Sequence, residues 1–465
     1  MANLTSMANY VVRGFRARRD DSRPLQPKAL YRARRQRVLD ALGDGLLLLP
    51  TARHQLRNGD VHYPFRASSD FHYLTGWPEP EAVLLAWRTR PGRHRAVLFV
   101  LPRDKERETW DGRRVGDKRA VSLYGVDQAH SIAALHDELF KLLDGQARLF
   151  HRLDADAAFD RRLFTTLARV AAIRRRANAP AHPIIQDPYP VIGAQRLVKT
   201  ADEVASLQRA AEVTAHGHIA AMRAARPGRN EYEVQAEVEA AFRRGGAIRE
   251  GYSSIVASGA NACILHYHEN NRVLRAGDLL LLDAGAEVDM YTADVTRTFP
   301  VSGRFTPAQR QVYALVLRAQ KAAIRSVRPG ARWNAPHRAA LRVLTRGLVE
   351  LRLLPRRPLR TLIAKSAFKP FYMHGTSHWL GLDVHDAGTY QDADGKPVRL
   401  RPGMVLTVEP GLYFDPSNRK VPASYRGIGV RIEDDVLVTR GGHRVLTAGV
   451  PKEIGDLERL CSGRD

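Results

Sequence analysis

LLLLDAGAEVDMYTADVTRTFP, residues Leu279 to Pro300, reads as two extended segments rich in Leu, Val and Thr with a turn between them. Asp283 and Asp294 stand eleven positions apart, so their midpoint falls at Val288 and Asp289. A hairpin turning there would place the two carboxylates directly opposite each other, with Cβ atoms about 5 Å apart. Carboxylates so close repel unless a cation sits between them or one is protonated. A metal ion resolves that conflict. Taken singly, Asp283 reads as a turn residue before Gly285 and Asp294 as a solvated strand residue; only the pair points to a site.

Three further donors follow in distinct contexts. FYMHGTSHWLGLDVHD packs His374, His378 and His385 into twelve residues, interleaved with Gly375 and Gly381. One such histidine would read as a satisfied core residue; three among glycines indicate close backbone approach to something bound. Glu409 ends the apolar run Val405 to Val408 in VLTVEPGLY, the context of a buried carboxylate, which is rarely left unpaired. Glu433 lies in GIGVRIEDD, where Glu433, Asp434 and Asp435 also read as a solvated acidic turn. Four carboxylates and one imidazole carry a formal charge of −4, which two divalent cations cancel. An oxygen-rich set with one nitrogen favours hard or borderline ions such as Mn²⁺ over a thiolate-type zinc site.

Working outward, 465 residues predict two or three domains. Residues 28–178 alternate short apolar strands (Leu46 to Leu49, Ala82 to Trp87, Arg95 to Leu101) with helical stretches (His130 to Leu143, Arg161 to Ala172), an α/β pattern. Pro180, Pro183, Pro188 and Pro190 make 179–199 a boundary linker. Residues 200–465 form an α+β domain that begins with a capping box at Thr200 and Glu203. Helices are expected from Glu231 to Phe242 and from Pro307 to Val327, and strands at Asp278–Asp283, Asp289–Pro300, Met404–Glu409 and Gly427–Val438.

The longest apolar runs, such as Gly45 to Pro50, are far short of a membrane span. Cys263 and Cys461 allow at most one disulfide, which fits a reducing, cytoplasmic compartment. The net charge of +24 admits nucleic acid or an anionic surface as a partner. Its arginines are spread over the whole chain with no nucleic-acid motif beside them, so the expectation is an Arg-rich coat on an ordinary surface. The densest patch has ten Lys or Arg between Arg13 and Arg37. Met1 to Pro27 shows no apolar period and is expected to be a disordered tail. An Arg-rich start also suits a transit peptide, but Asp20, Asp21 and the lack of an apolar face argue against one.

At the five donors the sequence resembles the aminopeptidase P branch of the pita-bread metallopeptidases, the superfamily of prolidase and methionine aminopeptidase. The likeness covers GYSSIVASGANACILHYHEN (Gly251–Asn270), HGTSHWLGLDVHD, VEPGLY and YRGIGVRIEDD. In the first domain it covers YPFRASSDFHYLTGWPEPEAVLL (Tyr63–Leu85) and WDGRRVG (Trp110–Gly116). The resemblance implies an α/β domain before a pita-bread catalytic domain. It implies that Asp294 and Glu433 bridge two metal ions, that Asp283 chelates one, and that His378 with Glu409 completes the other. It makes His266, His374 and His385 substrate-side histidines, and gives Arg431 and Tyr413 supporting places. Trp110 would reach a neighbouring subunit's active site in a dimer or tetramer; Asp60 falls on the substrate side, and Arg57 matches too. The implied reaction is removal of an N-terminal residue from peptides with proline second, by a metal-bridging hydroxide with Glu409 as proton shuttle. The implied metal is Mn²⁺, with Co²⁺ or Zn²⁺ as substitutes. The rivals are a prolidase cutting Xaa-Pro dipeptides, a metal-free pita-bread hydrolase, and a non-catalytic basic binding module.

Overall fold

The computed structural model describes residues 24–463, and they form two compact units that meet at Gln195 and Arg196. The tail expected over Met1–Pro27 therefore lies outside the described residues up to position 23. Its last part is not tail-like, because Gln26 is buried and its side-chain oxygen accepts a bond from Arg34 at 3.1 Å.

The first unit is α/β. Its six-stranded sheet runs in the order Gln128–Ser131, Arg93–Val100, Val83–Arg90, Leu46–Pro50, Arg148–Phe150, Ile184–Gln186. The three middle strands are antiparallel and the outer pairings parallel. Alternation sends Leu46, Leu48, Val83, Leu85, Val97 and Phe99 into one core. There they meet Leu135, Leu139 and Leu143 of helix Leu135–Leu143, and Leu163, Leu167 and Val170 of helix Ala157–Arg176. Helix Lys28–Leu42 packs against the same middle strands and holds two arginines of the basic patch in the interior. Arg35 donates to the carbonyls of Leu74 and Gly125, and Arg34 to that of Tyr73. Those two charges cap helix and turn ends rather than coat a surface.

Two local expectations change. The helix expected from His130 begins only at Leu135, since Gln128–Ser131 pairs as a parallel edge strand and Ile132–Ala134 makes a 3₁₀ turn. Sheet pairing there outweighs helix propensity. The proline-rich stretch 179–199 carries strand Ile184–Gln186 and helix Tyr189–Arg196. Proline is compatible with both: Pro183 precedes an edge strand, and Pro188 and Pro190 flank a helix start, where a missing N–H costs nothing.

The second unit is α+β. Helices Ala201–Ala224 and Glu231–Arg244 pack as a pair, as do Pro307–Ser326 and Ala335–Glu350. Thr200 with Glu203 forms the expected capping box; Asn230 with Glu233 and Thr306 with Gln309 form two more, each stabilising by about 1 kcal/mol. One antiparallel sheet joins Ile255–Ser258, Leu279–Asp283 and Thr296–Pro300; another joins Val405–Val408, Asp434–Thr439 and Gly442–Val445. The second sheet buries Leu406, Val408, Val436 and Val438 against Ala323, Ile324 and Ala340 of the second helix pair. The first buries Ile255, Ala257 and Leu281 beside Tyr267 and Tyr413.

Candidate metal centre

The four carboxylates all sit where strands break. Asp283 ends Leu279–Asp283, whose chain resumes pairing at Ala286–Val288 in another sheet. Asp294 lies between Tyr291–Thr292 and Thr296–Pro300, and Glu433 between Gly429–Arg431 and Asp434–Thr439. Glu409 follows Val405–Val408 and precedes Gly411–Tyr413. Interrupting the ladder frees a residue from strict alternation and lets its side chain be re-aimed. Long strands expected over 289–300 and 427–438 are thus each two pieces, with a ligand candidate at the joint.

The hairpin register corrects the expected one. Asp283 pairs with Thr296 and Val288 with Tyr291, so the turn residues are Asp289 and Met290, both with positive φ (53° and 70°). Asp289 tolerates that region and is held by an ion pair with Arg209. Asp294 lies opposite Gly285, flanked by the Ala284-to-Val295 and Ala293-to-Ala286 hydrogen bonds. The aspartates are therefore diagonal neighbours, not directly opposed. A two-residue shift keeps both on one face, so they still converge. A Cβ at Gly285 would lie 1.8 Å from the Ala293 carbonyl oxygen, so this crossing admits only glycine.

Asp294, His378 and Glu433 bring donor atoms within 4.8 Å of one another. His378 Nε2 lies 3.2 Å from Asp294 Oδ2 and 3.7 Å from Glu409 Oε1. His378 Nδ1–H donates to the Trp379 carbonyl at 3.0 Å, which turns Nε2 inward. Tyr252 joins Asp283 to this group, its hydroxyl 2.6 Å from Asp283 Oδ1 and from Asp294 Oδ1. Arg431 donates to Asp283 Oδ2 at 2.6 Å, to the Tyr413 hydroxyl at 3.1 Å and to Thr296 Oγ1 at 3.0 Å. Thr296 in turn donates to Glu433 Oε2 at 2.6 Å.

Sequence profiles place this geometry in a family: that of metallopeptidase family M24 matches residues 205–440, and that of the aminopeptidase P N-terminal domain matches residues 31–150. The chain belongs to metallopeptidase family M24, in its aminopeptidase P branch. It is 44% identical to an Xaa-Pro aminopeptidase of Haemophilus influenzae, over 94% of this chain and 98% of that one. It is 43% identical to an Xaa-Pro aminopeptidase of Escherichia coli, over 92% and 97%. Among solved structures, Pseudomonas aeruginosa aminopeptidase PepP superposes with a TM-score of 0.90 at 47% identity, covering 94% of this chain and 99% of that one. A zinc-substituted Escherichia coli aminopeptidase P in complex with product gives 0.90 at 41% identity, over 94% and 99%.

The electrostatics of the M24 site follow from burial. Burial, then the neighbouring carboxylates, push Glu433 well above the usual carboxylate range. Glu409 rises to about 7 through burial, with Asp294 and Asp283 adding to the effect against the pull of His378 and Arg431. Burial raises Asp283 despite Arg431. For Asp294 burial pushes up, but the bond and charge of His378 bring it below its ordinary value. Burial opposes protonation of His378, yet Asp294 and Glu409 raise it to about 9. Among protein groups alone, a proton has to sit between His378 Nε2 and Asp294 Oδ2. A divalent cation fits the same place and relieves all of these conflicts at once, so the donor set suits one.

The remaining expected residues are divided between the two units. His374 is half-buried: its Nδ1–H donates to the Gly375 carbonyl at 2.7 Å, and its Nε2 accepts from the Tyr413 hydroxyl at 2.8 Å. Burial and the charge of Arg431 lower its pKa to about 3, so the ring is neutral. His385 is exposed and stands edge-on to His378 at 4.4 Å; His266 is exposed and bears electrostatically on His374 and His385. Trp110 (82% exposed), Asp60 and Arg57 belong to the first unit, where Arg57 lies over the Tyr63 ring.

Tyr252 and Thr296 escaped the sequence reading, as did His218, which donates from Nε2 to the Ala284 carbonyl at 2.9 Å and is held neutral by burial. Each lies near a named donor in the chain or in space, but a tyrosine, a threonine and a helical histidine give no pattern of their own. The acidic turn considered for Glu433, Asp434 and Asp435 is overturned, because all three are buried. Asp434 pairs with Arg297 and Lys452, and Asp435 Oδ2 accepts the Asp294 N–H.

Proposed function

We propose that this chain is a metal-dependent aminopeptidase hydrolysing the bond between an N-terminal residue and a proline in second position. The observation that carries the reading is a donor cluster of buried Asp294 and Glu433 with half-buried His378, within 4.8 Å, in an M24 unit. Its relatives at 43–44% identity over nearly their whole length are Xaa-Pro aminopeptidases. A formal charge of −4 on Asp283, Asp294, Glu409 and Glu433 supports two divalent cations, for which Mn²⁺ is our first choice and Co²⁺ or Zn²⁺ the substitutes. We assign Asp294 and Glu433 as shared donors, Asp283 to one ion, and His378 with Glu409 to the other. When bound, such ions lower the pKa of a water they hold, so that hydroxide is available near neutral pH.

The chain's own groups supply the remaining steps. Glu409, 3.7 Å from His378 Nε2, is assigned to take a proton from the attacking water and pass it to the leaving proline nitrogen. Exposed His385 beside His378 is assigned to the developing oxyanion, and His266 with neutral His374 to the proline side. Arg431 holds Asp283 and the Tyr413 hydroxyl in place. Proline lacks the N–H that other peptidases bind, and its ring fixes φ. Buried Tyr413 backs the site through His374 and Arg431 rather than walling it, and Trp110 of a second copy is our aromatic wall, with Asp60 on the substrate side. The 82% exposure of Trp110 supports a site completed by a second copy, in a dimer or tetramer. Free Cys263 and Cys461 support a cytoplasmic setting. No helix among the described residues is long and apolar enough to cross a membrane.

After chelation, turnover of an Xaa-Pro-Yaa tripeptide should vanish and return on adding Mn²⁺, with Xaa-Pro dipeptides cut poorly. Preference for the dipeptide would make the chain a prolidase instead. Glu409→Ala should lower kcat by roughly 10²–10⁴-fold or more; full activity in that variant would sink the assignment.

A further inference from the structure

The helix pair Pro307–Ser326 and Ala335–Glu350 carries a groove of about 1360 Å³ that none of the five donors lines. Arg318, Lys321 and Arg325 line it from the first helix, at i, i+3 and i+7. Arg338, Arg342 and Arg346 line it from the second, at i, i+4 and i+8. Such spacings put each set on one helix face, with successive side chains of the second row about 6 Å apart along the axis. Arg328 and Arg332, from the connection, also line the groove; Glu350 is its only acidic lining residue. Lys321 pairs with Glu453 and Arg332 with Asp392. Arg318, Arg325, Arg328, Arg338, Arg342 and Arg346 make no ion pair among the described residues. Ala322, Ala339 and Gly347 keep the floor low.

An ordinary solvated helix face mixes charges of both signs, and like charges at i, i+4 destabilise a helix. Here arginines scattered along the sequence are gathered by helical spacing into two facing rows. We infer that this groove binds the phosphate backbone of a single-stranded nucleic acid without reading its sequence. Guanidinium forks match phosphate oxygens bidentately, and all six unpaired cations are arginines. The volume exceeds that of a drug-sized pocket, and rows of regularly spaced charge suit a chain with one charge per repeating unit. No aromatic side chain lines the groove, so base stacking, the usual second contribution, is absent and phosphate contacts carry the binding. A membrane is a poorer occupant, because the charges flank a recess and neither helix exposes a large hydrophobic side chain. The inference is independent of the peptidase reading.

The test is fluorescence anisotropy of a short labelled oligothymidylate on the full chain across a salt series. If six arginines each neutralise a phosphate, the logarithm of affinity should fall with the logarithm of salt with a slope of about −4. The triple variant R338E/R342E/R346E should weaken binding roughly ten-fold or more and reduce that slope by about 2. The matched triple R161E/R162E/R175E, exposed on the other unit, should leave both unchanged. Peptide turnover and melting temperature should be unaffected in both; if charge reversal prevents folding, R338Q/R342Q/R346Q carries the same expectation, since Gln is a good helix former. Unchanged affinity and slope in the groove variant would overturn the inference. So would equal competition by polyglutamate of matched charge, which points to an acidic protein, or binding to phosphatidylserine vesicles without binding to the oligonucleotide.

Discussion

Tyr252 sets one hydroxyl 2.6 Å from a carboxylate oxygen of both Asp283 and Asp294. A hydroxyl has one proton, so it bonds one carboxylate at a time while keeping both oriented. Burial, reinforced by those carboxylates, pushes its pKa well above the usual tyrosine value, so it stays a donor at any working pH. Tyr252→Phe should therefore keep the fold and weaken divalent-cation binding by roughly 10–100-fold, the usual cost of losing an outer partner of a metal ligand. Competition with a fluorescent chelator measures this directly, and wild-type affinity would show that the ring only packs. Asp434, one residue beyond Glu433, has an opposite role. It is buried with Arg297 and Lys452 and also bonded by Gln320 and Thr447. Asp434→Ala leaves a buried guanidinium without its carboxylate and should cost about 3–5 kcal/mol in urea melts; an exposed, weak pair would cost under about 1 kcal/mol.

The hairpin from Leu279 to Pro300 does more than hold two aspartates. Helix Ala201–Ala224 pins its break from behind, with Thr214 accepting the Ala286 N–H at 2.9 Å and His218 bonding the Ala284 carbonyl. The crossing is so tight at Gly285 that a methyl group would meet the Ala293 carbonyl oxygen at 1.8 Å. Gly285→Ala must push the strands apart, which should cost about 1–3 kcal/mol or more and shift Asp294 relative to Asp283. Chemical denaturation checks the first effect and cation titration the second. A neutral outcome in both would mean that the break is not rigid. The hairpin was legible as an element, but its register was not: carboxylate symmetry favoured a turn one residue earlier. The actual turn, with positive φ at Asp289 and Met290, is secured by Arg209 from a distant helix.

For the whole molecule, the centre couples cation binding to stability and pH. His378 is raised from 6.5 to about 9, so its contribution to stability is complete below about pH 6.5 and lost as pH rises through about 9. Glu409 is raised from 4.5 to about 7, so the folded chain holds a proton that the unfolded chain has lost, and stability falls across that interval as well. Buried, neutral His218 and His374 act the other way below about pH 6.5, so chelated protein should melt at progressively lower temperature from about pH 6.5 to pH 9. A bound divalent cation replaces the shared proton and should flatten the dependence. At 100 times its Kd it adds about 2.7 kcal/mol. Thermal melts with chelator and with Mn²⁺ across this range test the prediction; parallel pH profiles would contradict it.

Much of this was written in residue types and local spacing. Capping residues, alternating Leu and Val, and a glutamate ending an apolar run act over a few positions, so the α/β and α+β plan and the candidate carboxylates could be read from them, while His378 was chosen among three histidines through the family resemblance. The same local pattern left Glu433 open to being a surface turn, since burial is a property of what packs above a residue. Folding resolved that, bringing residues 31 to 181 positions apart into one network: Tyr252 onto Asp283, Arg431 onto Asp283, Tyr252 onto Glu433 through Asp294. It also set the diagonal register and drew six arginines into one groove. Contacts between distant segments carry no signature in either segment alone, which is why Tyr252, Thr296 and His218 became visible only in three dimensions.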